Sequence, residues 1–303
     1  MSDKNSRFIC MNGEIVPYIN ATIGIGAVAL KYGAQIFEGL RCYKIRDGAY
    51  NVLAMEQHIQ RLFDSARIMR MPIPFTADEI KAQIIATLEA NNLTADSYIR
   101  LACSVGEDGP ITSTGDILLS IAAFALGRKA FPQGQKVCIN GWQRISDAQM
   151  PPRIKCVANY QNGRLAMLQA KEDGYDNVLL TDSRGKVCEA PTATFFLIRA
   201  GTLITPPVTD GILESITREI VIRLAQRLGY KVIERSVDRT ELYLAEGLFF
   251  AGTGAEILPV GSVDGFAIAT LSSEIYHNIH RGYFSVSIAG DTDFIDYYHL
   301  VSL

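Results

Sequence analysis

The stretch PPRIKCVANYQNG, residues 151–163, sets a single lysine, Lys155, among Ile154, Cys156, Val157 and Ala158. Apolar neighbours solvate an ammonium poorly and favour the neutral amine, the form that attacks a carbonyl to give a Schiff base. Three features further along the chain would complement such an amine. Ser215, Ile216 and Thr217 open a helical pattern, and the N–H groups and dipole of a helix start hold a phosphate. AGTGAE, residues 251–256, ends a strand in small residues that let backbone N–H groups close on an anion, with the Thr253 hydroxyl beside them. Glu189 stands between a strand-like Val187-Cys188 and the small residues Ala190, Pro191 and Thr192. A buried acid needs a partner, and a protonated ring nitrogen suits it. Arg61 would add a charged clamp for a phosphate. Taken singly, these residues also read as a lysine reaching water, a capped helix, a turn, a loop glutamate and a solvated arginine. Taken together they fit one requirement, an anionic cofactor with a protonated ring nitrogen.

The elements that must position these residues follow from pattern. Asn12-Gly13, between FICM and EIVPYINATI, is a strong hairpin signal, and Asp47-Gly48 marks a second turn within residues 38–53. Ile59, Leu62, Phe63 and Ala66 repeat at helical spacing from Met55 and leave Arg61, Asp64 and Arg67 off the apolar stripe. Thr76 and Glu79 form a capping box for a second helix that Asn91-Asn92 ends. SYIRLACSV and DILLSIAAFAL read as strands around the loop GEDGPITSTG, so the first domain is α+β rather than a βαβ series. Composition shifts at GRKAFPQGQ, which gives a small N-terminal domain over 1–127, a linker over 128–135 and a larger domain over 136–303. In that second domain the helix NGRLAMLQAKEDG follows Lys155, and NVLLTD and KVCEAPTATFFLI read as strands. ESITREIVIRLAQRLGY is the clearest helix, with Ser215 as its N-cap and Gly229 at its end. GLFFAGTG and ILPVGSV are strands, and a short helix lies near residues 274–281.

Composition excludes several classes. Nearly half of the 303 residues are apolar, a fifth are charged and the formal net charge is −3, which leaves no footprint for nucleic acid. Six scattered cysteines form no CxxC pair, and four histidines supply no ligand set, so neither a disulfide framework nor a metal site is expected. No run has the length of a signal peptide's apolar core or a membrane span, and a cytoplasmic protein is the default expectation.

The order of the motifs resembles the fold-type IV pyridoxal-phosphate enzymes, and within them the branched-chain amino acid aminotransferases. The resemblance runs through KYGAQIFEGLRCY from Lys31, HIQRLFDSA from His58, SYIR from Ser97, KCVANY from Lys155, SITRE from Ser215 and GTGAEILPV from Gly252. It implies a two-domain α+β fold of the D-amino acid aminotransferase type, with a small α/β domain followed by a larger, barrel-like one. Lys155 would form the internal aldimine with pyridoxal 5′-phosphate and shuttle the proton, and Glu189 would pair with the pyridine nitrogen. Tyr160 would meet the phenolic oxygen, while Arg61, the N–H groups of Ile216 and Thr217, and Thr253 would hold the phosphate. On the substrate side the resemblance implies Tyr32, Phe37, Gly39, Arg41, Tyr98 and Arg100. Arg100 and the backbone at Thr253, Gly254 and Ala255 would meet the carboxylate; Phe37, Tyr32 and Trp142 would wall an apolar pocket. The implied reaction is ping-pong transamination between Leu, Ile or Val and 2-oxoglutarate, in a homodimer or larger homo-oligomer.

Some positions depart from that pattern. LACSVGEDGPITSTG follows Arg100 where the resemblance implies a proline and a glycine-rich loop, and Glu107 and Asp108 put negative charge there. EAPTATFF stands where an EGxxENLF-like run is expected, and Ser215 stands for a glycine. A transaminase for D-amino acids or (R)-amines, or a lyase acting on aminodeoxychorismate, would use the same scaffold and the same lysine.

Overall fold

The computed structural model describes residues 6–128, 131 and 133–303. The chain divides into two compact units, one of residues 1–128, 154–158 and 286–303, the other of residues 129–153 and 159–285. Both mix helices and strands, an α+β composition. The sequence reading assigned 136–303 wholly to the second domain. Instead, the short segment around Lys155 and the C-terminal residues from Val286 group with the first unit. Of the expected linker, Lys129, Ala130 and Pro132 lie outside the described residues, and Gln135 already belongs to a strand.

In chain order the first elements are β1 (Phe8–Met11), β2 (Glu14–Pro17), α1 (Val28–Tyr32), β3 (Gln35–Arg46), β4 (Ala49–Val52), α2 (Met55–Met69), α3 (Ala77–Ala90), β5 (Ser97–Val105) and β6 (Ile117–Ala125). They continue with β7 (Gln135–Gln143), α4 (Asn159–Glu172), β8 (Asn177–Thr181), β9 (Lys186–Val187), β10 (Thr194–Arg199), β11 (Thr202–Thr205) and α5 (Ile216–Arg227). The last are β12 (Val232–Glu234), β13 (Val237–Asp238), α6 (Arg239–Leu242), β14 (Gly247–Gly252), β15 (Glu256–Val263), β16 (Phe266–Ala267), α7 (Glu274–Ser287) and β17 (Leu300–Ser302).

The first unit carries a seven-stranded antiparallel sheet in the order β17-β4-β3-β5-β6-β1-β2. Asn12 and Gly13 form a two-residue turn, both at positive φ, and Met11 pairs with Glu14, the geometry that twisted hairpins favour. The box that starts α3 is reciprocal: Thr76 accepts the Glu79 N–H while the Glu79 carboxylate accepts the Thr76 N–H at 2.7 Å. Helix α2 packs on β3, with Met55, His58, Ile59, Leu62, Ser65 and Ala66 buried. Ile59, Leu62 and Ala66 of the expected stripe are buried, Phe63 is only half-buried, and the buried face carries a histidine that apolar periodicity does not mark.

The second unit carries a ten-stranded mixed sheet, β12-β11-β10-β14-β15-β7-β8-β9-β13 with β16 on β15. Phe195, Leu197, Leu248, Phe250, Leu258 and Val260 fill its core. KVCEAPTATFFLI is not one strand. It breaks into β9 and β10, and Glu189 sits in the gap. Ser215 caps α5 by accepting the Arg218 N–H. Helix α4 starts at Asn159, earlier than the pattern suggests, and this brings Tyr160 into its first turn.

Candidate active site

In the first unit the site is built on neighbouring strands. Successive side chains of a strand point to opposite faces, so Phe37, Gly39 and Arg41 share one face of β3. The register sets Arg100 opposite Gly39 and Tyr98 opposite Arg41, which puts both β5 residues on that same face. Both lean along β3 in one direction. The Arg100 guanidinium lies 4.0 Å from the Phe37 ring centre, and the Tyr98 hydroxyl crosses the face of Gly39 so closely that a Cβ there would sit 2.0 Å from it. Glycine at 39 is what lets the tyrosine lie flat on the strand.

Lys155 joins this face through the backbone. Ile36 and Cys156 form an antiparallel bridge, Phe37 N–H donates to the Lys155 carbonyl at 2.9 Å, and Val157 N–H donates to the Gln35 carbonyl at 3.0 Å. The Lys155 N–H donates to Ser65 Oγ at 3.2 Å on α2. Its Nζ lies 4.9 Å from the Phe37 ring centre. Phe37 thus has the amine and the Arg100 guanidinium as neighbours. Tyr32, also expected here, ends α1 and is half exposed.

On the opposite face of β3, between Ile36 and Leu40, Glu38 is wholly buried. Arg61 grips it with Nε at 2.8 Å and Nη2 at 2.7 Å, and His58 Nδ1 lies 2.7 Å away. Burial alone would raise the Glu38 carboxyl; the Arg61 charge, with hydrogen bonds from Arg61 and His58, more than reverses that and holds it at about 2. His58 is pushed below its ordinary value, first by desolvation and further by the Arg61 and Lys155 charges. Arg61, read as a solvated position or a phosphate clamp, is mostly buried and anchored on an acid.

The second unit holds the other expected residues. The Glu189 carboxylate is buried, pairs with Arg144 Nη2 at 2.7 Å and accepts the Leu213 N–H at 3.3 Å. Arg144 is fixed in turn, its N–H on the Thr181 carbonyl and its Nε on the Gly211 carbonyl at 3.2 Å. Leu213 lies just before the cap of α5, whose first residues are Ile216 and Thr217. The first intrahelical bond runs from Glu219 N–H to the Ser215 carbonyl, so Ile216 and Thr217 precede it with N–H groups directed out of the helix start. Helix α4, which carries Tyr160 in its first turn, packs against the loop after Glu189 at Gly163, where a Cβ would sit 2.8 Å from Pro191 Cβ. Thr194 pairs with Ala251, which sets the Thr253-Gly254-Ala255 turn next to the same loop. Glu256 closes that turn at φ +56. Trp142 is partly exposed and donates to Gln169 at 3.0 Å.

Each unit therefore collects its own set: Lys155, Arg61, Phe37, Gly39, Arg41, Tyr98 and Arg100 in the first, Tyr160, Glu189, Ile216, Thr217, Thr253, Gly254 and Ala255 in the second. Three residues without an expected role stand out, Glu38, His58 and Arg144. Glu38 is visible in sequence as a lone acid between Ile36 and Leu40 on the inward face of a strand. His58 is visible as the residue one helical turn before Arg61. For Arg144 no sequence signal exists beyond its charge.

The family profile described as amino-transferase class IV matches residues 35–263. The chain belongs to the class IV aminotransferases. Among curated members of this group, the branched-chain-amino-acid aminotransferase of Salmonella typhimurium is 37% identical over 277 residues, covering 88% of each chain. Among solved structures, a branched-chain aminotransferase from Thermoproteus uzoniensis with norvaline superposes with a TM-score of 0.93 at 31% identity, covering 97% of this chain and 99% of its own. The PLP-form of the Thermobaculum terrenum branched-chain amino acid aminotransferase superposes at 0.90 with 34% identity, covering 99% of this chain and 100% of its own. This class IV aminotransferase is an enzyme of the fold-type IV architecture, dependent on pyridoxal phosphate.

The residues present fit that cofactor by their chemistry. Lys155 would offer an amine to an aldehyde, Glu189 a buried acid to a ring nitrogen, α5 its start to a phosphate, and Tyr160 and Thr253 hydroxyls to oxygens. Next to Ala251, the Thr194 hydroxyl is buried with no hydrogen-bond partner among the described residues, as in a cradle shaped for a polar ligand. Glu107 and Asp108 are used inside the first unit. Glu107 accepts the Gly115 N–H at 3.1 Å, and Asp108 pairs with Lys31 at 2.6 Å.

Proposed function

We propose that this enzyme transfers the amino group of a branched-chain L-amino acid, Leu, Ile or Val, to 2-oxoglutarate in a ping-pong cycle. The observation that carries this reading is the face of β3 and β5, where Phe37 lies beside Arg100 and beside Lys155, and Tyr98 lies over Gly39 on the same face. An aromatic wall next to a guanidinium suits an apolar side chain whose carboxylate needs a cation. The names of the relatives support the same substrate class.

Bound pyridoxal phosphate supplies an aldehyde carbon for the amino group and a ring that takes up electrons when a proton leaves the substrate Cα. The chain's residues do the rest. Lys155, whose backbone is held by bonds on both sides, would take that proton on Nζ and hold it ready to be returned. Glu189, kept in place by Arg144 and Leu213, keeps the ring nitrogen protonated. Tyr160 would donate to the phenolic oxygen; Arg61, Ile216, Thr217 and Thr253 would hold the phosphate. Arg100 and the backbone from Thr253 to Ala255 orient the substrate carboxylate, and Tyr32 and Arg41 complete the substrate wall. Glu107 and Asp108, which would repel that carboxylate, already have partners within the first unit.

The reading includes a cytoplasmic location and a homodimer or larger homo-oligomer. Exposed Ile25, Leu30 and Tyr32 in one short segment support the association of subunits. The test is a set of half-reactions followed by the visible absorption of the bound cofactor, with L-leucine, L-glutamate, D-alanine and (R)-1-phenylethylamine as donors. L-Leucine and L-glutamate should bleach the band fastest, and Lys155→Ala should have neither band nor bleaching. Faster bleaching by D-alanine or the amine would replace this substrate class, and pyruvate release without ketoacid formation would point to a lyase.

A further inference from the structure

Glu38 and His58 form a buried polar cluster with Arg61, and the proposed reaction has no direct use for either of those two. The Glu38 side chain has no exposure at all, His58 has 3% and Arg61 12%. A buried ion pair seldom stabilises a fold over an apolar replacement, because both charges lose their water. Glu38 and His58 would be an expensive way to attach α2 to β3, which already meet through apolar side chains. What the cluster does supply is direction. A guanidinium is planar and rigid, so fixing Nε and Nη2 on one carboxylate fixes the plane of the group and the heading of its remaining N–H bonds. His58, at 2.7 Å from the same Oε2 that Nη2 reaches, stops that carboxylate from turning. Glu38 is also the immediate neighbour of Phe37, whose N–H holds the Lys155 carbonyl. Two consecutive residues of β3 therefore locate the amine and the guanidinium.

We infer that Glu38 is a positioning residue that aims Arg61 at the cofactor phosphate, with His58 locking the carboxylate. This rests on the reading of Arg61 as a phosphate ligand. The experiment separates the two by comparing the binding of pyridoxal 5′-phosphate with that of pyridoxal, which lacks the phosphate, to the full-length apoprotein. Binding is followed by absorbance in Glu38→Gln, Glu38→Asp, Arg61→Gln and the Glu38→Gln/Arg61→Gln double variant. Glu38→Asp keeps the charge in the core while withdrawing it from the guanidinium, and so serves if the glutamine variant does not fold. The expected result is a loss of at least about tenfold in affinity for the phosphorylated form, as when an outer partner of a ligand is removed. Affinity for pyridoxal should stay within about twofold, and the double variant should be no worse than Arg61→Gln alone, since both changes remove one function. Equal losses for the two aldehydes, or no loss, in the Glu38 variants would overturn the inference and leave the cluster as packing. If Arg61→Gln itself shows no phosphate-dependent loss, the underlying reading of Arg61 is wrong and the inference falls with it.

Discussion

Replacing Gly39 with alanine tests the substrate face with a single methyl group. The added Cβ would lie 2.0 Å from Tyr98 Oη, 2.7 Å from Cζ and 3.1 Å from Cε2, whereas ordinary contact begins at 3.4 Å. The ring must therefore retreat by well over an ångström. It can do so, because Tyr98 is only partly buried and the atoms in the way are the far end of a side chain. Overpacking of this kind costs about 1–3 kcal/mol, offset by about 0.4–1 kcal/mol from the stiffer unfolded chain, so the variant should fold with at most a modest loss. Function should suffer far more. A displacement of about 1 Å in a positioning group lowers turnover on the order of 100-fold. The assay is single-turnover bleaching of the cofactor by L-leucine, with the visible spectrum before mixing as control for a loaded enzyme. The spectrum should match wild type while the leucine rate falls about 100-fold, and Gly39→Ala/Tyr98→Ala should regain stability but not rate. A Gly39→Ala enzyme that transaminates leucine within about threefold of wild type, where a loss near 100-fold is expected, would refute the assignment of Tyr98 to the substrate wall.

Two further outcomes follow from buried charge. Arg144→Met strands the Glu189 carboxylate, so the apoprotein should lose about 3–5 kcal/mol in urea unfolding, and Glu189→Gln in the same chain should restore most of it; a double variant as unstable as the single would show that charge is not the cause. Stability should also fall with acid in two stages. His58 has its folded value pushed below the ordinary 6.5, so below that pH the unfolded chain takes up a proton that the folded chain refuses, and stability drops by up to about 1.4 kcal/mol per pH unit. Glu38, held at about 2 against an ordinary 4.5, contributes stability that is present above 4.5 and is lost as pH falls toward 2. Urea midpoints measured from pH 7 to pH 3 check both, and His58→Gln should flatten only the upper stage.

Much of the fold could be read from local chemistry. The Asn12-Gly13 hairpin, the Thr76–Glu79 box and the Ser215 cap each depend on a few adjacent residues, and each formed where the pattern placed it. What local pattern missed is long-range. Periodicity marked Arg61 as solvated because it counts apolar positions, while the pairing of Arg61 with Glu38 spans a strand, a hairpin and part of a helix. Arg144 and Glu189 lie 45 positions apart, and only the β7–β8 pairing explains how they meet. Likewise KVCEAPTATFFLI looks continuous in hydropathy, and the break that isolates Glu189 comes from β9 and β10 pairing with different strands. The Lys155 segment fell within the second domain, 136–303, by composition, yet its backbone bonds go to β3.

That excursion of the backbone has a consequence for how such a protein can be recombined. Residues 154–158 are a five-residue visit to the first unit, entered from the second and left again into it. A chimera joined at residue 128 would inherit Phe37, Glu38 and Arg100 from one parent but Lys155, whose carbonyl Phe37 holds, from the other. Exchanging the whole first unit with a relative therefore needs three crossovers besides the obvious one, two flanking Ile154 and Ala158 and one before Val286. The smallest exchangeable module is discontinuous in the gene although it is continuous in hydrogen bonding.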